Sequence, residues 1–439
     1  MTRIQDNTLR ATVLTALFVA SIMCLCPPGI RAGGFPGGYV DMGGHVRLRG
    51  AISCPADGSH GDILERERLH DGTVEFRSTN TVHLSPSWRL DLHYEALGTT
   101  GETGQATAAL FSRYPLEKGL ISIGDITDDR RLMDLSHVIT EHDDYRVYHR
   151  LDRLVLTTQR DWGSLRIGRQ ALTWGNGFLF NPMDLFNPFA PTDVERDYKR
   201  GDDMVILQAY MGTDGEIQLL AVPRRNKAGD IDGGESSIAA KYHSPLGNIE
   251  WDMMAGLHYD DYVIGTGLVG YLGSAAWRFD ATYTWLPDDS TRKGFGSLCA
   301  NMDYSWTWGS KNMYGWVEYS YTGLGTTDYG DTWKDNDILG RIDRGERTTL
   351  GRSYVDTQVQ VELHPLVNAY VTLIANLTDP STVIQPRVTW NAAQNIQVTA
   401  GVTIYAGGRD TEFGGFDIPM LPFREEPADG LYLWVSYYY

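Results

Sequence analysis

Leu431-Tyr432-Leu433-Trp434-Val435-Ser436-Tyr437-Tyr438-Tyr439 is the stretch whose reading decides the fold. It is an apolar-alternating strand that runs to an aromatic end. A free strand edge exposes a row of unpaired N–H and C=O groups, and proteins seldom leave such an edge open. A strand that closes against the first strand of a barrel has no free edge. The expectation is a closed barrel in which residues 44–52 pair with this segment.

The same alternation recurs upstream. Trp88, Leu90, Leu92, Tyr94 and Ala96 oppose Arg89, Asp91, His93 and Glu95. Trp277, Phe279, Ala281, Tyr283 and Trp285 oppose Arg278, Asp280, Thr282 and Thr284. Residues 300–308, 355–363 and 396–404 read the same way. Period-two alternation over about 10 residues is the signal of a membrane-crossing β-strand. A half-solvated soluble sheet would show it too. The aromatics favour a membrane: Trp88, Trp285, Trp306, Trp308, Trp390 and Trp434 gather near strand ends, as interfacial girdles require. No run after residue 32 reaches the ~18 apolar residues of a spanning helix.

Connection lengths also alternate. Short turns fall near Pro86, Trp162, Gly212, Gly247, Gly309, Pro365 and Ala392, with longer polar segments at 53–72, 125–145, 172–202, 225–235, 287–296, 324–352 and 406–429. Short turns on one rim and long loops on the other give an all-β fold, a transmembrane antiparallel barrel of about 18 strands (roughly 16 to 20). The weak pieces are 106–112, 119–124 and 264–270. Leu132, Leu135 and Ile139 fall at helical spacing, so 128–142 reads as a short amphipathic loop helix.

Residues 1–32 read as a secretory signal peptide, leaving 33–439 as one barrel domain. Arg3 and Arg10 precede the apolar residues 11–25, and Ala32 offers a cleavage site. A lipidated Cys24 or Cys26 is the rival reading. The formal net charge is −18, and the leader removes three cations and one anion, so the mature chain is more acidic still. That excludes nucleic acid as a partner. Cys54 and Cys299 remain, with a disulfide between them left open. No Cys-x-x-Cys-His motif is present, so no c-type haem is attached.

Residues 166–203 carry the densest chemistry. Arg166-Ile167-Gly168-Arg169 runs into a segment rich in Gly, Asn-Pro and Phe, with turn starters at Asn181-Pro182 and Asn187-Pro188. Trp174, Phe178, Phe180, Phe186 and Phe189 need shelter from water, and the nearest is the inner wall of the barrel. The expectation is a loop, 172–202, folded inward as a constriction. Arg150, Arg166, Arg169, Trp174, Asn181, Asp184, Asn187, Arg196, Lys199 and Arg200 are the candidate pore-lining residues, with Arg224 and Arg225 beside them. Opposed rows of charge, with Asp184, Asp193, Glu195 and Asp197 on the acidic side, would orient a passing solute. The plainer alternative is a packed loop with its charges paired.

The run Gly-Arg-Gln-x-Leu-x-Trp-Gly-x-Gly-x-x-Phe-Asn-Pro-x-Asp-Leu-Phe-Asn-Pro-Phe at 168–189 resembles a motif of porin-like outer-membrane proteins of Gram-negative bacteria. The build is similar to substrate-specific porins and alginate-export barrels. A strand ending on Tyr resembles the terminal strand that the barrel-assembly machinery reads. The resemblance implies a bacterial outer-membrane pore for passive or facilitated passage of a small hydrophilic solute, with outer-membrane lipid around it.

Other constellations point less far. Glu141-His142-Asp143-Asp144 and the loop acids Asp328, Asp331, Asp335 and Asp337 are candidates for Ca²⁺, with solvated charge as the bland reading. No other cofactor is expected. Asp91 and Glu95 flank His93, but no Gly-x-Ser-x-Gly or His-Glu-x-x-His motif accompanies it, so a hydrolase is the weaker alternative. A barrel that sheaths a periplasmic or electron-transfer partner is the other.

Overall fold

The computed structural model describes residues 31–32, 38–114, 128–186, 188, 198–212, 214–287, 290, 292–418 and 422–439. The body of the leader and the weak piece 119–124 lie outside them.

Among the described residues, eighteen antiparallel strands close into one barrel. They are β1 (Tyr39–Cys54), β2 (Leu69–Ser85), β3 (Trp88–Gly101), β4 (Tyr145–Arg160), β5 (Gly163–Gln170) and β6 (Asp202–Met211). Then come β7 (Gly215–Arg225), β8 (Ile231–Leu246), β9 (Ile249–His258), β10 (Asp261–Leu272), β11 (Ala275–Trp285) and β12 (Gly294–Trp308). The last are β13 (Lys311–Thr322), β14 (Ser353–His364), β15 (Val367–Asn376), β16 (Ser381–Ala393), β17 (Ile396–Ala406) and β18 (Asp429–Tyr438). Each pairs with its neighbour in the chain. The ring closes where β18 pairs with β1, from His45 opposite Tyr438 to Cys54 opposite Asp429. Gly44 and Tyr439 extend the seam by exchanging N–H···O bonds of 3.2 and 3.1 Å.

The pleat sorts side chains as the alternation requires. Leu431, Leu433 and Val435 of β18 are exposed on the outside, and Tyr432, Trp434 and Ser436 are buried inside. On β11, Tyr283 and Trp285 face out while Asp280, Thr282 and Thr284 are buried. Exposed rings mark both rims: Trp88, Trp162, Tyr271, Trp308 and Trp390 toward the short turns, Tyr262, Tyr283 and Trp285 toward the long loops. Trp434 is a correction to the expected girdle. It faces the bore, where it stacks on Tyr432 with the Arg49 guanidinium 5.4 Å from its ring.

Two further expectations are revised, and the open question of the disulfide is answered. The weak piece 106–112 belongs to an α-helix, Glu102–Arg113, outside the barrel wall, whereas 264–270 is part of β10. Residues 128–142 form no helix. Asp128 accepts hydrogen bonds from Leu135 N and Ser136 Oγ, and Ser136–Glu141 pairs as a short strand with the upper half of β4. The helical spacing of Leu132, Leu135 and Ile139 lost to those side-chain bonds and to an open edge on β4. Cys54 and Cys299 are unbridged.

Two outcomes test the closure. Removing Leu431–Tyr439 strips β1 and β17 of their partner and abolishes heat-modifiable migration of the folded barrel on gels. Ala281→Arg places a cation on the outward face near the middle of β11 and costs about 2–4 kcal/mol in reversible unfolding from bilayers.

Candidate functional site: a loop folded across the bore

The connection between β5 and β6 turns into the barrel. Its entry follows from an unusual patch of inner wall. Met204 and Ile206 on β6, Leu220 and Val222 on β7, Met254 on β9 and Val263 on β10 are apolar and point inward. In a water-filled lumen that surface would be costly. Leu172, Trp174, Met183 and Phe186 of the loop cover it, forming one buried cluster. Trp174 keeps its polar handle satisfied by donating to Gln218 at 2.9 Å.

Beyond this cluster the loop is fastened by backbone amides to wall carboxylates. Asn176 donates its N–H and its side-chain amide to Asp280 on β11. Glu318 on β13 accepts N–H bonds from Phe178 (2.6 Å), Leu179 (2.9 Å) and Phe180 (2.8 Å). Asn301 on β12 bridges the two, donating to the Asn176 carbonyl at 3.0 Å and to Glu318 at 3.1 Å. Such bonds to a carboxylate are about twice as strong as neutral ones. The rings then seat: Phe178 stacks on Trp316 at 4.9 Å and Phe180 on Tyr354 at 4.7 Å. Gly177 is required at the tip, because a Cβ there would overlap the Phe180 carbonyl. Gly175 sits at φ +82°, which favours glycine.

At its base the loop is locked by Lys199. The ammonium donates to Leu172 O at 2.6 Å and to both oxygens of Asp184 at 2.6 and 2.7 Å. Burial pushes the Asp184 carboxyl up to about 6, with Lys199 offsetting part of the rise, and the same burial lowers the Lys199 ammonium. Desolvation outweighs mutual attraction in this pair, so it fixes geometry more than it adds stability.

The return of the loop meets a wall of arginines and acids on β1–β4. A bulge on β4 opposite His93 and Tyr94 re-aims side chains into the bore. Arg150 pairs with Glu95, Asp152 with Arg77 at 2.8 Å, and Arg153 reaches Lys199 O at 2.6 Å. Tyr198 lies under the Arg77 guanidinium and donates to Glu75 at 2.9 Å and to Glu95. Burial and those two carboxylates push its phenol pKa up, so it stays protonated.

The candidate residues are thus spread over several roles. Arg166 projects from β5 toward Arg89, Asp91 and Glu216, and its buried Nε has no hydrogen-bond partner among the described residues. Arg150, Trp174, Asn181, Asp184 and Lys199 line or brace the inward loop, with Asn181 donating to Trp174 O at 2.8 Å. Arg200 follows Lys199, half-buried, at the loop's return. Arg169 is a correction. It shares the outward face of β5 with Leu165 and Ile167, and near the long-loop rim it binds Asp203 at 2.8 Å, Asp128 at 2.7 Å and Met133 O at 2.5 Å. Arg224 pairs with Asp202 at 2.7 Å, and Arg225 serves the turn by donating to Gly229 O. Asn187, Phe189, Asp193, Glu195, Arg196 and Asp197 lie outside the described residues.

Neither acidic cluster gathers. Among the described residues, no three His, Cys, Asp or Glu side chains converge as metal ligands. Asp328 and Asp335 cap short helices, Asp331 pairs with Lys334, and Asp337 accepts from Ser290. His93 lies 3.4 Å from Arg77, while Asp91 is engaged by Thr81 and Arg89, and Glu95 by Arg150 and Tyr198. The residues that sequence reading missed are Asp280 and Glu318 as loop anchors. Both are acids at inward register positions, which was the available signal. What they would bind was not.

No protein-family model matches the sequence, and no curated protein does. The fold is shared with solved outer-membrane porins. Pseudomonas aeruginosa OccK5 (OpdH) superposes with a TM-score of 0.52 at 9% identity, over 93% of this chain and 99% of that one. Acinetobacter baumannii OccAB4 gives 0.51 at 9% identity, over 91% and 98%. OccAB3 of the same organism also gives 0.51 at 9%, over 91% and 99%. The closed ring, the outward apolar belt and this shared architecture define the class: a bacterial outer-membrane β-barrel.

Glu318→Ala leaves three loop amides without their acceptor. The expected outcome is rapid chymotryptic cleavage at Phe178 and Phe180 in a barrel that still migrates as folded. Unchanged protease resistance would mean that the apolar cluster alone holds the loop.

Proposed function

We propose that the protein is a channel for passive or facilitated passage of small hydrophilic solutes across the outer membrane, narrowed by the loop between β5 and β6. The single observation that carries this is the docking of residues 171–186 along the inner wall from β6 to β14, which a loop lying over the rim would not adopt. The loop covers the acids Asp280 and Glu318, while Arg166 projects from β5 with its Nε lacking a hydrogen-bond partner among the described residues. In this reading Arg166 contributes a positive term to the local field. Residues 1–32 act as the secretory leader, and β18 is the segment that the assembly machinery reads.

A plugged barrel that sheaths a partner is the second reading, favoured by one contact set. The loop after β17 seats Glu412 beneath the rim, where it accepts from Tyr354 Oη at 2.5 Å, Asn376 Nδ2 at 2.7 Å and the amides of Leu350 and Gly351. Phe413 joins Leu179 and Phe180 there. Planar-bilayer recording separates the two. Steady single-channel conductance supports a pore, and silence from correctly folded protein supports the sheath. In a conducting barrel, Arg166→Gln shifts the reversal potential in a salt gradient toward cation selectivity. An unchanged reversal potential would place Arg166 away from the ion path.

A further inference from the structure

Between the inward loop and the extracellular segment 323–352 lies a cavity of about 260 Å³. Its wall side is a line of hydroxyls. Thr282 on β11 is directly opposite Ser297 on β12, and Ser297 is directly opposite Thr322 on β13, so three side chains share one row across the strands. Ser297 Oγ donates to Thr322 Oγ1 at 3.0 Å. One step deeper, Ser320 Oγ is buried and has no hydrogen-bond partner among the described residues. The loop side is mainly apolar, with Phe178, Phe180, Pro182 and Leu185, and carries Thr173, Asn181 and Asp184 among them.

The charged groups of the lining are already engaged. Arg341 pairs with Asp261 and stacks on Phe295. Arg347 donates to the carbonyls of Thr349, Leu350 and Gly351, and Arg352 to that of Gly325. Asp184 is held by Lys199, and Glu346 by Arg344 at 2.9 Å and His258 at 3.2 Å. Among the described lining residues the three acids Asp184, Asp261 and Glu346 balance the three arginines. Arg347 and Arg352 already give N–H groups to carbonyls and Arg341 to Asp261, so an anion would compete with those bonds for the guanidinium donors.

We propose that this cavity is a binding slot for a neutral, polyhydroxylated ring of monosaccharide size, which rests on the reading of the barrel as a solute pore. Such a ring has a hydroxyl edge for the Thr282–Ser297–Thr322 row and Ser320, and a C–H face for the apolar loop side. The slot offers a few placed polar groups in apolar surroundings, as small-molecule sites generally do.

The test compares D-glucose with D-glucuronate, which share one ring and differ by a carboxylate in place of the CH₂OH. Binding to the full detergent-purified barrel is measured by saturation-transfer NMR. Glucose is expected to bind at least tenfold tighter, and Thr322→Val is expected to weaken it by roughly tenfold, the scale of one lost hydrogen bond. Heat-modifiable migration confirms that the variant is folded, and Ser297→Ala replaces it where it is not. Glucuronate binding as tightly or more tightly, no binding of either, or no effect of the folded variant overturns the proposal. Conductance reads the pore separately: glucose binding in a silent barrel keeps the slot and sinks the pore, and conductance without glucose binding does the reverse.

Discussion

In hydrocarbon no water is available to an unpaired N–H or C=O, so a sheet that crosses a membrane must close on itself. The β1–β18 seam meets that requirement, and everything else in the molecule follows from it. Closure fixes which residue of each pair faces lipid. It forces short turns to one rim and long loops to the other. It also creates an enclosed space whose lining must be hydrated, filled or paired.

The inner wall answers that demand differently around its circumference. On β6–β10 it is apolar and is covered by loop side chains. On β11–β13 it carries Asp280 and Glu318, buried carboxylates satisfied by backbone amides of the loop and by Asn301. On β1–β4 it carries alternating arginines and acids knitted together through Tyr198. The loop thus belongs to the wall as much as to the mouth. Its removal would strand an apolar patch and two carboxylates at once, which is why its Gly-Asn-Pro-Phe chemistry is so specific. The barrel provides rigidity, and the loop provides shape.

The cavity left beside the loop is bounded by groups from six strands and from the 323–352 segment. Its ionic groups balance within the protein, and its hydroxyls do not all find partners. Glu346 shows the same internal compensation: burial raises its carboxyl, yet His258, Arg344 and Arg341 outweigh it and hold it down at about 2. The charges around this space therefore serve the architecture, and the neutral polar groups remain for a visitor.

Local sequence determined the barrel. Alternation at 88–96, 277–285 and 431–439 reports which side of a sheet each residue occupies, because the period of a strand is two and one face meets lipid. Turn residues near Pro86, Trp162 and Gly309 reported the short rim for the same local reason. The inward course of the loop was legible in outline, since five large rings near Trp174 required shelter. Tertiary structure alone decided where that shelter lay. Asp280 and Glu318 are 104 and 138–140 residues from the amides they bind, and nothing local distinguishes them from other inward acids. Arg169 and Trp434 were assigned to the wrong environments for the same reason. Residue type and spacing gave a role, but the face of the strand and the partner across space set the actual one.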